Sequence, residues 1–166
     1  MKYIMLSDTP QSEFKMPEGF ENLKYFGMGP YESYIDKRLA SKMGVYESKV
    51  YDHFEPYVRP QENMAHADTK WAYVSSLGGH GLVFTGDFSF NCSHFTAEML
   101  TKTPHNYELE RLPETVVNLD YRHTGIGSNS CGPELLDKYR FNETEFSWQV
   151  KLTPAFVNDV DPFELV

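Results

Sequence analysis

Apolar and polar residues alternate with a period of two along several short stretches of the chain. In TEFSWQVKL, residues Phe146, Trp148, Val150 and Leu152 share one face, while polar residues occupy the positions between them. Successive side chains of a β-strand point to opposite sides of the sheet, so this pattern predicts a strand with one buried face. The same alternation predicts strands in TVVNLDY and DFSFN.

Three further segments are predicted strands because they are rich in β-branched and aromatic residues: WAYVSSL, HGLVFTG and YELERL. Gly78 and Gly79 separate the first two, and a glycine pair is typical of a tight hairpin turn. Because glycine, proline and asparagine separate the predicted strands, the pattern favours an all-β, antiparallel sandwich over βαβ units.

Helical signals are confined to three short segments. TAEMLTK begins with Thr96, a suitable N-cap, and stops before Pro104. GPELLDKY has Pro133 at a first-turn position. YESYIDKRLASKMG carries apolar residues at helical spacing and has Gly44 as a terminator. We predict short helices or helical turns in these segments.

Composition and charge narrow the classes of partner. The chain has 24 acidic and 15 basic residues, a formal net charge of −9, which disfavours nucleic acids and anionic membrane surfaces as partners. No apolar run approaches the roughly 20 residues of a membrane span. The apolar stretch at the N-terminus is too short for a secretory signal, and two cysteines make no disulfide scaffold. We therefore predict a cytoplasmic protein.

The stretch TGIGSNSCGP, residues 124–133, admits three interpretations: a phosphate-binding loop, a nucleophile site or a shaped turn. Ser130 stands where the third glycine of a nucleotide-binding fingerprint would lie, and no Gly-Lys-Ser/Thr follows. Cys131 would need a neighbouring base to form a reactive thiolate, and His123 is eight residues away in an acidic chain. These observations favour a turn.

The pattern predicts no metal site and no catalytic pair. The histidines at 53, 66, 80, 94, 105 and 123 lack the spacing of metal ligands. Segment 55–66, EPYVRPQENMAH, is either a sugar-contacting polar cluster or a rigid loop in which Arg59 and Glu62 satisfy each other, and we favour the second. No two carboxylates stand out as a glycosidase pair.

Five blocks follow one another along residues 20–152: YFGMGPYESYIDKR, YVRPQEN, GDFSFNCSHFT, VNLDYRHTGIGSNSCGP and FSWQVKL. Together they resemble the C-terminal domain, or small-chain region, of bacterial β-galactosidases of glycoside hydrolase family two. The resemblance implies a galactose-mutarotase-like, antiparallel super-sandwich. Residues 1–152 would be the C-terminal part of that domain, and residues 153–166 an extended acidic tail.

The resemblance also implies how the chain functions. In that family the catalytic glutamates and the Mg and Na sites lie on a separate barrel domain, which nothing in this chain resembles. The chain would be a non-catalytic portion of an enzyme that hydrolyses terminal β-galactosides such as lactose, with no cofactor of its own. Its partner would be the rest of the polypeptide or a large subunit, with the β-galactoside at the domain boundary.

Residues 124–133 would form a loop over the active-site mouth. The family's sugar-stacking tryptophan falls, with one gap, on Cys131, which cannot stack as an indole does. The candidate substrate-binding residues are therefore Asn129, Ser130 and Cys131, and His123 would orient the loop.

Two alternatives from other classes remain. The chain could be a free-standing carbohydrate-binding β-sandwich module. It could also be an epimerase-like enzyme that uses Glu62 with one of three histidines, His94, His105 or His123, as acid and base. A sandwich separated from its domain exposes strand edges and apolar faces, so we also expect the isolated chain to self-associate.

Overall fold

A computed structural model describes residues 3–7, 11–161 and 164, and within them the fold is all-β and antiparallel, as predicted. The strands are β1 (Tyr3–Ser7), β2 (Gln11–Met16), β3 (Asn22–Gly29), β4 (Lys42–Lys49), β5 (His66–Ser75), β6 (His80–Ser93), β7 (Thr115–Asp120) and β8 (Trp148–Phe156). One α-helix, α1 (Ala97–Lys102), and four 3-10 turns complete the described part: Val50–Asp52, Asn106–Glu108, Asp137–Tyr139 and Val157–Asp159. No helix of this part is long and apolar enough to cross a membrane.

The strands form a single sheet that forks along the long strand β6. One side of β6 pairs with β5, and β3 and β4 continue the sheet outwards. On the other side, residues 80–86 pair with β8 and residues 89–93 pair with β7. The change of partner near Asp87 creates two arms, β8–β1 and β7–β2.

The main core lies between the two arms and the β3–β5–β6 part of the sheet. Phe14 of β2 packs against Phe84 of β6, with 5.7 Å between ring centroids, so the β7–β2 arm lies over the first half of β6. This arrangement gives the predicted sandwich-like packing. On β5, Ala72 and Val74 enter this core, whereas Trp71 and Tyr73 enter a second cluster with Val83 and Val160. Both faces of β5 are therefore buried.

The alternating patterns identified their strands correctly. Trp148 and Val150 are buried in the main core, and Phe146 and Leu152 pack against it. WAYVSSL and HGLVFTG form an antiparallel hairpin around the glycine pair. Helix α1 begins at the predicted cap, where the Met99 N–H donates to the Thr96 hydroxyl at 3.2 Å.

Two predicted elements are wrong, and a third is confirmed only in part. YELERL forms no strand, and its start belongs to the 3-10 turn Asn106–Glu108. Instead of pairing with a neighbouring strand, the segment places the Arg111 guanidinium 3.8 Å from the centre of the Tyr51 ring. GPELLDKY forms only the turn at Asp137–Tyr139, where Arg140 binds the carboxylate of Glu134.

The segment YESYIDKRLASKMG is the other wrong prediction, because it is not a helix. Tyr34 and Lys37 form an isolated β-bridge, and the Ser33 N–H donates to the Ala65 carbonyl at 2.7 Å. The local bridge and the long-range bond together use backbone groups that a helix would need. Strand β4 begins in the last three residues of the segment.

The predicted tail begins inside β8, which continues to Phe156 and pairs Pro154 with Leu82 of β6. Val160 then joins the second hydrophobic cluster. Residues 162, 163, 165 and 166 of the predicted tail lie outside the described residues.

Candidate functional site

The connection between β7 and β8 contains the stretch 124–133, which we call the rim loop. Its flanks, residues 122–123 and 138–141, line a cavity of about 530 Å³. Ser89 of β6 and Trp148 of β8 also line this cavity, which therefore lies at the fork of the sheet. The chain lines the cavity at residues 122–123 before the rim loop and again at residues 138–141 after it, whereas the rim loop itself is not among the described residues that line it.

The carboxylate of Asp36 anchors the first half of the rim loop. The backbone N–H groups of Ile126, Gly127 and Ser128 donate to it at 3.0, 3.1 and 2.9 Å, and the Ser128 hydroxyl donates at 2.8 Å. Partial burial acts to raise the pKa of Asp36, but the hydrogen bonds from Ile126, Ser128 and Gly127 outweigh it and lower the pKa to about 2. Asp36 is therefore ionised at neutral pH.

The three candidate substrate-binding residues lie together just beyond this anchor. Asn129, Ser130 and Cys131 are all exposed. Asn129 has a positive φ of 70°, and its N–H donates to the Pro133 carbonyl at 3.2 Å. The Ser130 N–H donates to the Gly127 carbonyl at 3.3 Å. These bonds close a turn that presents the three side chains to solvent.

A cluster of polar side chains adjoins the wall of the cavity. Tyr34 and Asn91 both donate to Glu62 Oε1, at 3.2 and 2.8 Å, and Asn118 donates to Asn91 Oδ1 at 2.8 Å. We call Tyr34, Glu62, Asn91, Asn118, Asp120 and His123 the buried polar cluster. The Tyr34 and His123 rings, 5.5 Å apart, join it to the cavity wall.

Burial and neighbouring charges shift the pKa values of Glu62 and His123 in this cluster. Burial, followed by the nearby Asp120 carboxylate, raises the pKa of Glu62 to about 7. Burial acts to lower the pKa of His123, but the Asp120 carboxylate, 3.4 Å from Nε2, outweighs burial and raises it. Protonation of Glu62 or His123 therefore makes the net charge of the cluster around Asp120 less negative.

A family model described as the β-galactosidase small chain matches residues 12–152. This chain belongs to that family. The β-galactosidase of Staphylococcus xylosus is 41% identical over 140 residues, which cover 82% of this chain and 14% of the relative. Those of Actinobacillus pleuropneumoniae and Kluyveromyces lactis are 39% and 32% identical, over 80% and 84% of the chain. The chain spans about one seventh of the length of these relatives.

In this small-chain family member, segment 55–66 does not have the predicted internal pair. Glu62 is satisfied by Tyr34 and Asn91, whereas Arg59 is exposed. The loop is nevertheless held by its own polar groups, since the Asn63 side chain accepts from the Glu55 N–H at 3.0 Å. The partners of Glu62, Tyr34 and Asn91, therefore come from other parts of the chain and not from Arg59.

The histidines considered as acid–base partners of Glu62 lie apart from one another. His94 Nε2 lies 3.0 Å from Glu21, and the exposed His105 stacks on Tyr107. Only His123 of the three lies in the buried polar cluster. His123 lines the cavity, whereas Glu62 is not among the described residues that line it. A ligand in this cavity would therefore contact His123 without contacting Glu62.

Two other histidines are structural. His53 and His66 are buried with ring centroids 5.2 Å apart, and burial lowers their pKa values to about 4 and about 3. Both are neutral at physiological pH. Within the described residues no group of three or more His, Cys, Asp or Glu side chains is arranged to hold a metal ion.

Asp36 is the functional candidate that the sequence analysis missed. It lies about 90 positions from the rim loop, so no local pattern connects the two. The only available signal was its place in the block YFGMGPYESYIDKR, which contributes to the family resemblance.

Proposed function

We propose that this chain is the C-terminal, non-catalytic portion of a β-galactosidase and that its rim loop forms one wall of the active-site mouth. The observation that carries the proposal is the family match over residues 12–152, combined with relatives about seven times longer than the matched segment. The turn is exposed and lies between two chain segments that line the cavity, which supports this position of the wall. The catalytic groups, and the Mg and Na ions that act with them, belong to the remainder of the enzyme.

The rim loop suits contact with a hydroxyl-rich ligand. Asn129 offers an amide donor and acceptor, and Ser130 a hydroxyl, both exposed at the tip of the turn. Cys131 adds a small side chain with little hydrogen-bonding strength. We propose that these residues contact the leaving-group side of a β-galactoside such as lactose in a cytoplasmic enzyme.

The isolated chain is expected to show no hydrolysis of a nitrophenyl β-galactoside above the buffer blank, because the acid–base and nucleophile carboxylates lie outside it. A colorimetric assay at high protein concentration measures this directly. Hydrolysis that co-purifies with the chain and disappears when Glu62→Gln is introduced would contradict the proposal and favour chemistry in the buried polar cluster.

A carbohydrate-binding module without a hydrolase is the second candidate, favoured by the cavity at the fork and its aromatic wall of Tyr34, Tyr121 and Trp148. Calorimetric titration with galactose and lactose separates the two. A wall completed by another domain gives weak or undetectable heats, whereas a module gives saturable binding.

We also propose that the isolated chain self-associates through β4. Strand β4 pairs only with β3 among the described strands, as β1 pairs only with β8 and β2 only with β7. Met43 and Val45 on this strand are 42% and 44% exposed. An open edge with apolar residues invites strand pairing, which a lysine suppresses. Sedimentation velocity is expected to show a dimer for the chain and a monomer for Val45→Lys; a monomer for both at high concentration would contradict this.

A further inference from the structure

The carboxylate of Asp36 determines the shape of the rim loop. We propose that Asp36 is a positioning residue for substrate binding: it holds the loop so that Asn129, Ser130 and Cys131 face the leaving-group side of the galactoside. This inference rests on the proposed function and adds to it a residue that acts through the loop.

The contact is built from consecutive backbone groups. The N–H groups of residues 126, 127 and 128 point at one carboxylate, and the Ser128 hydroxyl adds a fourth donor. Successive N–H groups form a concave site for an anion. Within the described residues, backbone donors and a hydroxyl, and no lysine or arginine, satisfy Asp36. The arrangement fixes the backbone direction immediately before Asn129.

Gly125 makes this close approach possible. Its φ of 137° lies in the region that favours glycine. A Cβ atom added at this position would lie 2.7 Å from Asp36 Oδ2. The sequence therefore supplies both the anion and the glycine that lets the loop close around it.

Asp36 is itself held firmly. It lies on the turn closed by Tyr34 and Lys37, whose N–H groups donate to each other's carbonyls at 3.0 and 3.1 Å. Tyr34 is 1% exposed and donates to Glu62. Lys37 pairs with the buried Glu32. The anchor is thus connected to the buried polar cluster, so the loop takes its position from the core.

Loss of the anchor should weaken substrate binding more than chemistry, since the reacting carboxylates belong to another domain. Asp36→Asn keeps the size of the side chain but turns one acceptor oxygen into an NH2 group facing N–H donors. We expect KM to rise roughly tenfold and kcat to change less than about twofold, because the rim loop loses the charge-assisted hydrogen bonds that hold it in position. Asp52→Asn, which changes an exposed aspartate on the 3-10 turn Val50–Asp52, is the matched control.

The first measurement uses the chain alone. Cys131 is exposed and Cys92 buried, so a nitroxide label attaches selectively to the rim loop. Electron paramagnetic resonance is expected to show a mobile label in Asp36→Asn and a restricted label in the unmodified chain and Asp52→Asn, with unchanged circular dichroism in all three. An equally restricted label in Asp36→Asn would overturn the inference whatever the parent enzyme does.

The second measurement uses a chimera in which residues 12–152 replace the matching segment of the Staphylococcus xylosus β-galactosidase. A rise in KM at nearly constant kcat in Asp36→Asn supports the inference. Equal KM values in Asp36→Asn and Asp52→Asn would overturn the substrate role of Asp36 even if the label is mobile. A folded but inactive unmodified chimera would overturn the proposed function, and with it that role, while the label result still decides whether Asp36 anchors the loop.

Discussion

Glu62→Gln is expected to raise the free energy of unfolding at pH 8 by about 2–3 kcal/mol, and at pH 5 by about 1 kcal/mol or less. The pKa of Glu62 is about 7 in the folded chain against 4.5 for an ordinary glutamate. A carboxyl group whose pKa is raised by folding stabilises the fold while it is protonated, and this contribution is lost as the pH rises from about 4.5 through 7. Glutamine stays neutral and can still accept from Tyr34 and Asn91.

Urea denaturation at pH 5 and pH 8 measures the effect. Glu145→Gln is the matched control, because Glu145 is exposed, and it should change stability by less than about 0.5 kcal/mol at both pH values. Equal effects of Glu62→Gln at the two pH values, or destabilisation at pH 8, would show that Glu62 is ionised without penalty in the fold.

Phe90→Ala is expected to destabilise the fold by about 3–5 kcal/mol and to lower the melting temperature by roughly 10 °C. Phe90 is fully buried on β6, where β5 pairs on one side and β7 on the other. Its ring lies 5.2 Å from that of Tyr25 and 5.4 Å from that of His66. Removing it leaves a cavity at the junction of the sheet and the β7–β2 arm.

Two variants accompany this measurement. Phe90→Leu keeps most of the volume and should cost less than about 2 kcal/mol. Tyr107→Ala removes an aromatic ring that is 82% exposed and should cost less than about 0.5 kcal/mol. If Phe90→Ala and Tyr107→Ala unfold at the same urea concentration, the core does not depend on this junction.

Sequence patterns predicted the strands that bury one clear face and those joined by an obvious turn. The strand from Trp148 was predictable because its alternation matches its burial. Strands β3 and β4 were not recognised, because glycines at 27, 29 and 44 interrupt their alternation and the segment after Tyr31 has helical spacing. Long-range hydrogen bonds between residues 32–34 and residues 62–65 override that local preference.

The candidate site was predictable in part. The glycine content of residues 124–133 predicted the turn that the structure shows, whereas the position of this loop over an active-site mouth stays a prediction from the family resemblance. The Asp36 anchor and the buried polar cluster were not predictable, because each joins residues 27 to 92 positions apart and depends on the fork in the sheet. Only the folded chain shows what holds the rim loop in place.

The most direct test of the central claim is the galactoside hydrolysis rate of the chimera described above. Its comparison proteins are the isolated chain and the Staphylococcus xylosus enzyme with the matching segment deleted. We predict hydrolysis by the chimera and none by the other two proteins. Hydrolysis by the isolated chain, or a folded chimera as inactive as the deletion variant, would contradict the account.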